Sequence, residues 1–198
     1  MHTSSREQQA LRHEIIRKCT HCFGCVAAMI AAMLSLDVVV AGSVLVLTVY
    51  LVSEALRVRG RSLAPVTTIT NLCSRSSEET RPAFGPVALA FGFVCCFLVF
   101  PPAIARSAFI VACVADSAAG LLGRMFGRHC IPYSTRKTVE GSLAGFLCAA
   151  PVGMLCLGPT HGLIAALAST AIESLPPRDL DNLLIPLGTG CVLFLLGA

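Results

Sequence analysis

Apolar stretches of nearly membrane-spanning length follow one another along the chain, and this feature limits the possible fold more than any other. A spanning helix needs about 20 predominantly apolar residues, with about 17 as the lower end. The sequence predicts seven spans, near residues 20–36, 38–55, 83–101, 103–121, 140–158, 160–175 and 182–198. Of the 198 residues 55% are apolar and 13% are charged, whereas a soluble domain carries about 25% charged residues. The composition indicates an all-α, polytopic integral membrane protein in the lipid bilayer and excludes a soluble enzyme or a nucleic-acid-binding protein.

The positive charges predict the orientation of these spans. With a cytoplasmic N-terminus, the segments on the cytoplasmic side hold all but one of the 15 lysines and arginines, and the exception is Arg106. Such a bias is the usual sign of the inner face of a membrane protein. Because most acidic residues also fall near the inner ends of the spans, we expect chemistry at the cytoplasmic face of a cytoplasmic or endoplasmic-reticulum-type membrane.

No internal repeat and no separate soluble domain are visible. The sequence therefore predicts one membrane-embedded catalytic domain over residues 1–198, with a polar N-terminus at 1–12 and cytoplasmic loops at 56–82 and 122–139.

The chain has 11 cysteines, most of them inside apolar runs, where a thiol behaves as a small apolar group. Cys19, Cys22 and Cys25 have the spacing of metal ligands, but a fourth ligand is missing and the cluster runs into a predicted span. The favoured interpretation is three ordinary thiols, and a metal site is the less favoured alternative.

A row of charged residues lies on one face of the first predicted helix. Glu14, Arg17, Lys18 and His21 follow a spacing of three and four residues, so they share one side. These residues either anchor the helix at the membrane surface or belong to a polar site that faces inward. Glu54 and Arg57 repeat the pattern at the inner end of the second span.

Asp116 is the most informative single residue, because it lies in an apolar segment near the inner boundary. An ionisable group at such a depth costs a few kcal/mol and usually faces a cavity or a partner. Gly120, Gly123 and Gly127 follow it on one helical stripe, which either allows close packing of helices or lets a phosphate approach the backbone beside Arg124 and Arg128. A structural ion pair of Asp116 is the alternative to a functional role.

A short basic loop rich in hydroxyl groups comes next, with Lys137 before Glu140, Gly141 and Ser142. A loop of this kind that opens a helix at its positive dipole end is typical of a polyphosphate site. Asp181 and Asn182 open the last span. They are either helix caps or oxygen ligands that hold magnesium together with Asp116.

These residues occur in longer stretches that resemble a known family. The stretches are HEIIRKCTHCFG (13–24), SEALR (53–57), RPAFGPVALAFGF (81–93), ADSAAGLLGRMFGRHCIPYSTRKTVEGSLAGF (115–146) and IESLPPRDLDNLLIP (172–186). In this order, the chain from about residue 13 onward resembles the CTP-dependent lipid-alcohol kinases, a group that includes dolichol kinase, a CTP-dependent diacylglycerol kinase and phytol kinases and is related to phosphatidate cytidylyltransferase.

The resemblance implies transfer of the γ-phosphoryl group of CTP to the hydroxyl of a lipid alcohol, polyprenol-like or diacylglycerol, with Mg²⁺ as cofactor. Carried over by motif, the site contains Arg17, Lys18, Asp116, Gly123, Lys137, Glu140, Gly141, Ser142, Asp181 and Asn182. We expect catalytic roles for Asp116, Lys137, Arg17, Lys18 and Glu140, with Asp116 and Asp181 on the metal. The nucleotide would be bound by Gly120, Gly123, Arg124, Gly127, Arg128, Gly141, Ser142 and Asn182.

The sequence departs from the family at Ala115, where the relatives usually have glycine. Because alanine is also small, we expect activity to be retained. Asp116, Glu140 and His21 are the candidate bases. A cytidylyltransferase that makes a CDP-lipid, and a transporter or scaffold without enzymatic activity, are the competing hypotheses. The spans are also compatible with a homodimer.

Overall fold

The computed structural model describes residues 5–73, 84–134, 137–175 and 180–198. Within these ranges the side chains of residues 5–13, 20, 22, 72 and 73 are not described. Six of the arginines counted above therefore lie outside the description, either entirely or by their side chains: Arg6, Arg12, Arg75, Arg81, Arg136 and Arg178. Among the residues of the motifs, the same holds for Cys22 and Thr135.

Helices form nearly all of the described chain, and the predicted all-α class is confirmed for these residues. The helices are α1 (Ser5–Ala31), α2 (Leu36–Val58), α3 (Val66–Cys73), α4 (Gly85–Val99), α5 (Pro102–Phe126), α6 (Val139–Leu157), α7 (Pro159–Glu173) and α8 (Asp181–Leu195). An isolated antiparallel bridge between Cys130 and Thr138 closes the loop between α5 and α6.

Three of the described helices, α2, α5 and α6, are long and apolar enough to cross a membrane. Two further apolar helices, α4 and α8, have 15 residues each and would be only about 22 Å long, which is shorter than a hydrocarbon layer of about 30 Å. The protein is thus confirmed as a membrane protein. The count of seven spans and the cytoplasmic N-terminus stay predictions.

The helix boundaries differ from the predicted spans in three places. Helix α1 begins at Ser5, well before the span predicted from residue 20 and before the helix predicted from residue 11, and α5 continues to Phe126 rather than ending near residue 121. Glu14 on the first extension lies 3.5 Å from Arg124 on the second, so charged side chains that hydropathy assigns to loops pair with each other between the two helices. The eight-residue helix α3 lies in a stretch predicted as a loop, and Thr67 on α3 contacts the Ser53 hydroxyl of α2 at 3.1 Å.

The central helix is α5, which contacts α1, α4, α6, α7 and α8. Its buried side includes Ala105, Ala108 and Ala112 together with Phe109, whose ring meets Phe93 of α4 edge-on at a centroid distance of 5.1 Å. Small side chains let helix backbones approach closely inside a membrane, where packing rather than water exclusion holds helices together. This packing fixes the position of Asp116 in the middle of the bundle.

Helices α1 and α2 are connected at both ends but make few direct contacts in between. A short turn at residues 32–35 joins them at one end, and α3 contacts both of them near the other end. The space left between α1, α2 and α4 opens onto the polar residues around Asp116, and it forms the candidate site.

Candidate active site

A single cavity of about 1700 Å³ contains most of the predicted site residues. It is larger than the range of about 300–1,000 Å³ that is usual for small-molecule sites. Its charged end is lined by Glu14, Arg17, Lys18, His21, Asp116, Arg124, Lys137, Glu173 and Asp181. Away from this end the lining is almost entirely apolar, so the cavity joins a charged chamber to an apolar one.

Lys18 and Asp116 form the ion pair at the centre of the charged end. The Lys18 ammonium group donates to Oδ2 of Asp116 at 2.5 Å and to the Asp116 backbone oxygen at 3.0 Å. His21, one turn further along α1, places Nδ1 at 3.4 Å from the same carboxylate oxygen. Helical periodicity on α1 therefore presents two nitrogen groups to one carboxylate on α5.

Lys137 forms a second charged centre, with Asp181 and Glu173. Its ammonium group lies 3.0 Å from Oδ2 of Asp181 and 3.5 Å from Oε1 of Glu173. It also donates to the backbone oxygens of Glu173 and Leu175, at the C-terminal end of α7. A cation at this position is favourable because the last carbonyls of a helix carry partial negative charge.

Three carboxylates converge between these two lysines. One oxygen from each of Asp116, Glu173 and Asp181 lies within 4.8 Å of the others, and among the described residues this is the group of acids that could hold a metal ion. Burial raises the pKa of Asp181 to about 6, Lys137 opposes this increase, and the Asp116 carboxylate adds to it. Carboxylates this close repel one another, so a bound cation would stabilise their charged forms.

Glu14 connects two arginines at the edge of the charged end. Arg17 donates to Oε1 of Glu14, and Arg124 of α5 lies 3.5 Å from Oε2. The Arg17 side chain is 20% exposed and that of Arg124 is 38% exposed. These guanidinium groups can therefore reach an anionic ligand that enters the cavity from this side.

The glycine stripe of α5 has two different roles. A Cβ atom on Gly120 would lie 2.9 Å from Cε of Lys18, so this glycine leaves room for the lysine side chain. A Cβ on Gly123 would lie 3.0 Å from Oγ1 of Thr138 and 3.1 Å from Cα of Gly141, and Gly127 would meet Thr138 as well. At Gly123 and Gly127 the structure shows the close helix packing that was one of the two interpretations, although Gly123 also lines the cavity.

The start of α6 is held by Thr138, whose hydroxyl accepts a hydrogen bond from the backbone N–H of Gly141 at 3.1 Å. Ser142 lines the cavity, and its buried hydroxyl has no hydrogen-bond partner in the described part of the chain. A buried hydroxyl without a partner is costly, so a ligand that supplies one is favoured here. Asn182 also lines the cavity and donates to the backbone oxygen of Gly85 at 3.1 Å.

Three predicted residues lie apart from the cavity lining, namely Glu140, Gly127 and Arg128. The Glu140 carboxylate accepts hydrogen bonds from the backbone N–H groups of Arg128 and His129 at 3.1 and 3.2 Å, and it contacts the His129 ring at 2.5 Å. In this geometry Glu140 holds the two ends of the loop between α5 and α6 together. Lys137 stands on that loop.

The structure adds Glu173 and Thr138 to the predicted site, and it places Glu14 in the cavity lining, in line with the inward-facing interpretation of its helical face. Glu173 completes the carboxylate group, Glu14 holds the two arginines, and Thr138 fixes the start of α6. Glu173 belongs to the IESLPPRDLDNLLIP stretch, so membership of that motif was the available signal. Glu14 shares a helical face with Arg17 and Lys18, and that periodicity was its signal.

The chain matches a known protein family over most of its length. A family model described as the cytidylyltransferase family matches residues 19–175, a range that contains α2 to α7 and most of the polar cavity lining. The chain belongs to the cytidylyltransferase family. Asp181 and Asn182 follow the matched range, and Glu14, Arg17 and Lys18 precede it.

Two curated members of the phytol kinases are similar to this cytidylyltransferase-family chain. Phytol kinase 1, chloroplastic, from Arabidopsis thaliana is 26% identical over 151 residues, which are 67% of this chain and 50% of the relative. A probable phytol kinase 1, chloroplastic, from Glycine max is 28% identical over 160 residues, or 70% of this chain and 52% of the relative. The chain thus spans about half the length of these relatives. No solved structure matches it significantly.

These similarities confirm the relationship that the sequence motifs indicated, to lipid-alcohol kinases within a group related to cytidylyltransferases. The relatives covered by these comparisons are named as kinases of phytol, a lipid alcohol.

Proposed function

We propose that this protein transfers the γ-phosphoryl group of CTP to the hydroxyl group of a lipid alcohol. The observation that carries the proposal is the convergence of Asp116, Glu173 and Asp181 between two lysines, at the charged end of a cavity that continues into an apolar chamber. A phosphoryl-transfer enzyme mainly has to position its substrates and neutralise charge. A lipid alcohol needs one polar and one apolar compartment, and both are present in this cavity.

The three converging carboxylates fit Mg²⁺, which binds through one or two carboxylates and the phosphates of a substrate. Asp116 and Asp181 would hold the ion, as the motifs predict, and Glu173 is the third acid within reach. When bound, Mg²⁺ would neutralise and orient the triphosphate. Its charge would also compensate the three acids, which outnumber the two lysines that contact them.

The side chains around the carboxylates supply the remaining positive charge. Lys18 and Lys137 each donate a hydrogen bond to a carboxylate and would bind phosphate oxygens when CTP is present. Arg17 and Arg124 stand at the edge of the same space and would contact the distal part of the triphosphate. Fixed donors aimed at developing charge account for a large share of the rate in many enzymes.

The acceptor hydroxyl has two candidate bases in the cavity, Asp116 and His21. His21 Nδ1 lies 3.4 Å from Oδ2 of Asp116. This distance supports a shared role, in which one group takes the proton and the other orients that group. Glu140, the third candidate, lies apart from the cavity lining and is better placed to organise the loop. The bias of lysines and arginines supports a site at the cytoplasmic face of the membrane.

A second candidate is cytidylyl transfer from CTP to phosphatidate, and the name of the family favours it. The same cavity, metal site and lysines would serve this reaction, but the attack would fall on the α-phosphorus and would release pyrophosphate. The products of the two reactions therefore distinguish them.

The test is a product assay on purified, reconstituted protein with Mg²⁺ and CTP labelled on the γ-phosphate. Phytol, a polyprenol, diacylglycerol and phosphatidate are offered separately, and Asp116→Asn and Asp37→Asn are assayed beside the wild type. Asp37 is exposed in the first turn of α2 and remote from the carboxylates, so it is the matched control. We expect label in a lipid phosphate, lost in Asp116→Asn and retained in Asp37→Asn. Label in pyrophosphate with phosphatidate alone would establish the second candidate.

A further inference from the structure

The cavity continues from the charged end along one face of α1. Lys18 is followed on this face by Gly24, Ala27 and Ala31, and Leu34 of the turn after α1 continues the lining. From Glu14 to Ala31 the lining extends along about 26 Å of helix, at 1.5 Å per residue. That length is most of the thickness of a hydrocarbon layer of about 30 Å.

Helix α2 supplies the opposite wall. Val38, Gly42, Val46 and Tyr50 line the cavity at intervals of four residues, so one face of α2 is turned toward it. Because the short turn at 32–35 makes α2 run back along α1, Tyr50 lies toward the charged end and Val38 toward the turn. Gly42 then lies about 12 Å from Tyr50 along the helix, near the level of Ala27.

We propose that this apolar chamber holds the hydrocarbon chain of the acceptor lengthwise, and that Gly42 and Ala27 determine how long a chain is accepted. The inference rests on the proposed function and adds a specificity site to it. The chamber is continuous with the charged end, so a chain that lies in it brings its own hydroxyl to Asp116. A hydrocarbon chain is the occupant because the walls offer apolar side chains along most of their length and charges at one end.

Gly42 is the position at which this idea can be tested most sharply. A Cβ atom built on Gly42 has no other atom within 4 Å, so a larger side chain fits without displacing the helix. Because Gly42 lines the cavity, the same side chain would extend into the chamber and narrow it at this level. Val44, two residues further along α2, is 56% exposed and does not belong to the cavity lining, which makes Val44→Phe the matched control.

The experiment measures kcat/KM of the full chain with phytol and with 1-decanol, for wild type, Gly42→Phe and Val44→Phe. A single methylene group in an apolar pocket already changes kcat/KM by about tenfold or more. We expect Gly42→Phe to lower kcat/KM for phytol by at least about tenfold and to keep the wild-type kcat/KM for decanol. Val44→Phe should keep both values, because a substitution on the lipid-facing side changes little.

The outcomes separate this inference from the function on which it rests. If wild-type protein phosphorylates neither alcohol nor any lipid of the panel above, the proposed function fails. If the wild type phosphorylates phytol and Gly42→Phe lowers kcat/KM equally for both alcohols, or for neither, the chamber does not select chain length and the inference is wrong. Should Gly42→Phe fold poorly, Ala27→Phe on the opposite wall is expected to give the same chain-length shift, and an unchanged preference in that variant would overturn the inference.

Discussion

The ammonium group of Lys18 lies 2.5 Å from Oδ2 of Asp116 although 98 residues separate them in the sequence. The pair connects α1 to the central helix α5 at the charged end of the cavity. The Lys18 side chain is 7% exposed and that of Asp116 is 14% exposed. Because both charged groups have little access to water, each is stabilised mainly by the other.

Lys18→Met should destabilise the protein, because Asp116 would lose its closest cation and keep only His21. Removal of one partner of a buried ion pair costs about 3–5 kcal/mol, and we expect a value near the lower end, about 3 kcal/mol, because His21 remains. The measurement is thermal unfolding in detergent, with Asp37→Asn as the control. The double variant Lys18→Met/Asp116→Leu should recover part of the loss, and a double variant less stable than Lys18→Met would contradict the pairing.

Glu173→Gln should raise the Mg²⁺ concentration that gives half-maximal activity by about tenfold, a change typical for weakened metal sites. The substitution keeps the size of the side chain and removes one of the three converging charges. Activity is measured across a Mg²⁺ titration after treatment with EDTA, which should abolish turnover until the ion is restored. An unchanged titration midpoint in Glu173→Gln would show that this acid takes no part in holding the metal.

Gly123→Ala should lower the free energy of unfolding by about 1–3 kcal/mol, the usual cost of overpacking. The added methyl group would stand 3.0 Å from Thr138 and 3.1 Å from Cα of Gly141, where α5 crosses the start of α6. Gly42→Ala is the control for stability, since its methyl group meets nothing within 4 Å and alanine favours helix. Equal stabilities of the two variants would argue against a tight crossing.

Glu140→Ala should raise KM for CTP by about tenfold and change kcat less. The loop that carries Lys137 would lose the hydrogen bonds from the backbone N–H groups of Arg128 and His129 to Glu140. His129→Ala removes only an exposed partner, whose side chain is 80% exposed, and exposed ion pairs contribute little. Steady-state kinetics with varied CTP measure both variants. A loss of about 100-fold in kcat with an unchanged KM in Glu140→Ala would instead assign Glu140 a catalytic role.

Much of the polar site could be predicted from the sequence, because an ionisable residue inside an apolar run has few permissible surroundings. Asp116 stands out for that reason, and the periodicity of α1 places Lys18 and His21 on a common face. The spacing could not tell which glycines face a ligand and which face another helix, because both roles need the same small residue. Gly120 and Gly123 are three residues apart, yet one accommodates Lys18 and the other accommodates Thr138.

Helix boundaries were harder to predict, because hydropathy counts a charged residue as a loop signal even where the fold satisfies it. The last turn of α5 is one example. The part of α1 before residue 20 is another for the predicted span, although the spacing of Glu14, Lys18 and His21 did predict a helix there. Glu14 and Arg124 interact with each other across these two extensions, and only the three-dimensional structure brings them together. The same limit applies to Glu173, whose proximity to Asp116 depends on the packing of α7 against α5.

Thr138 packs against Gly123 and Gly127 and also caps α6, and it is the immediate neighbour of Lys137 in the chain. Two adjacent residues therefore have two linked roles. Thr138 makes the contact that sets the distance between α5 and α6, and Lys137 is the cation that faces the carboxylates. A substitution that loosens this helix crossing would also displace the charge from Asp181. A substitution of Thr138 should therefore lower stability and activity together. We expect random mutagenesis of Thr138 to find few variants that are stable and inactive.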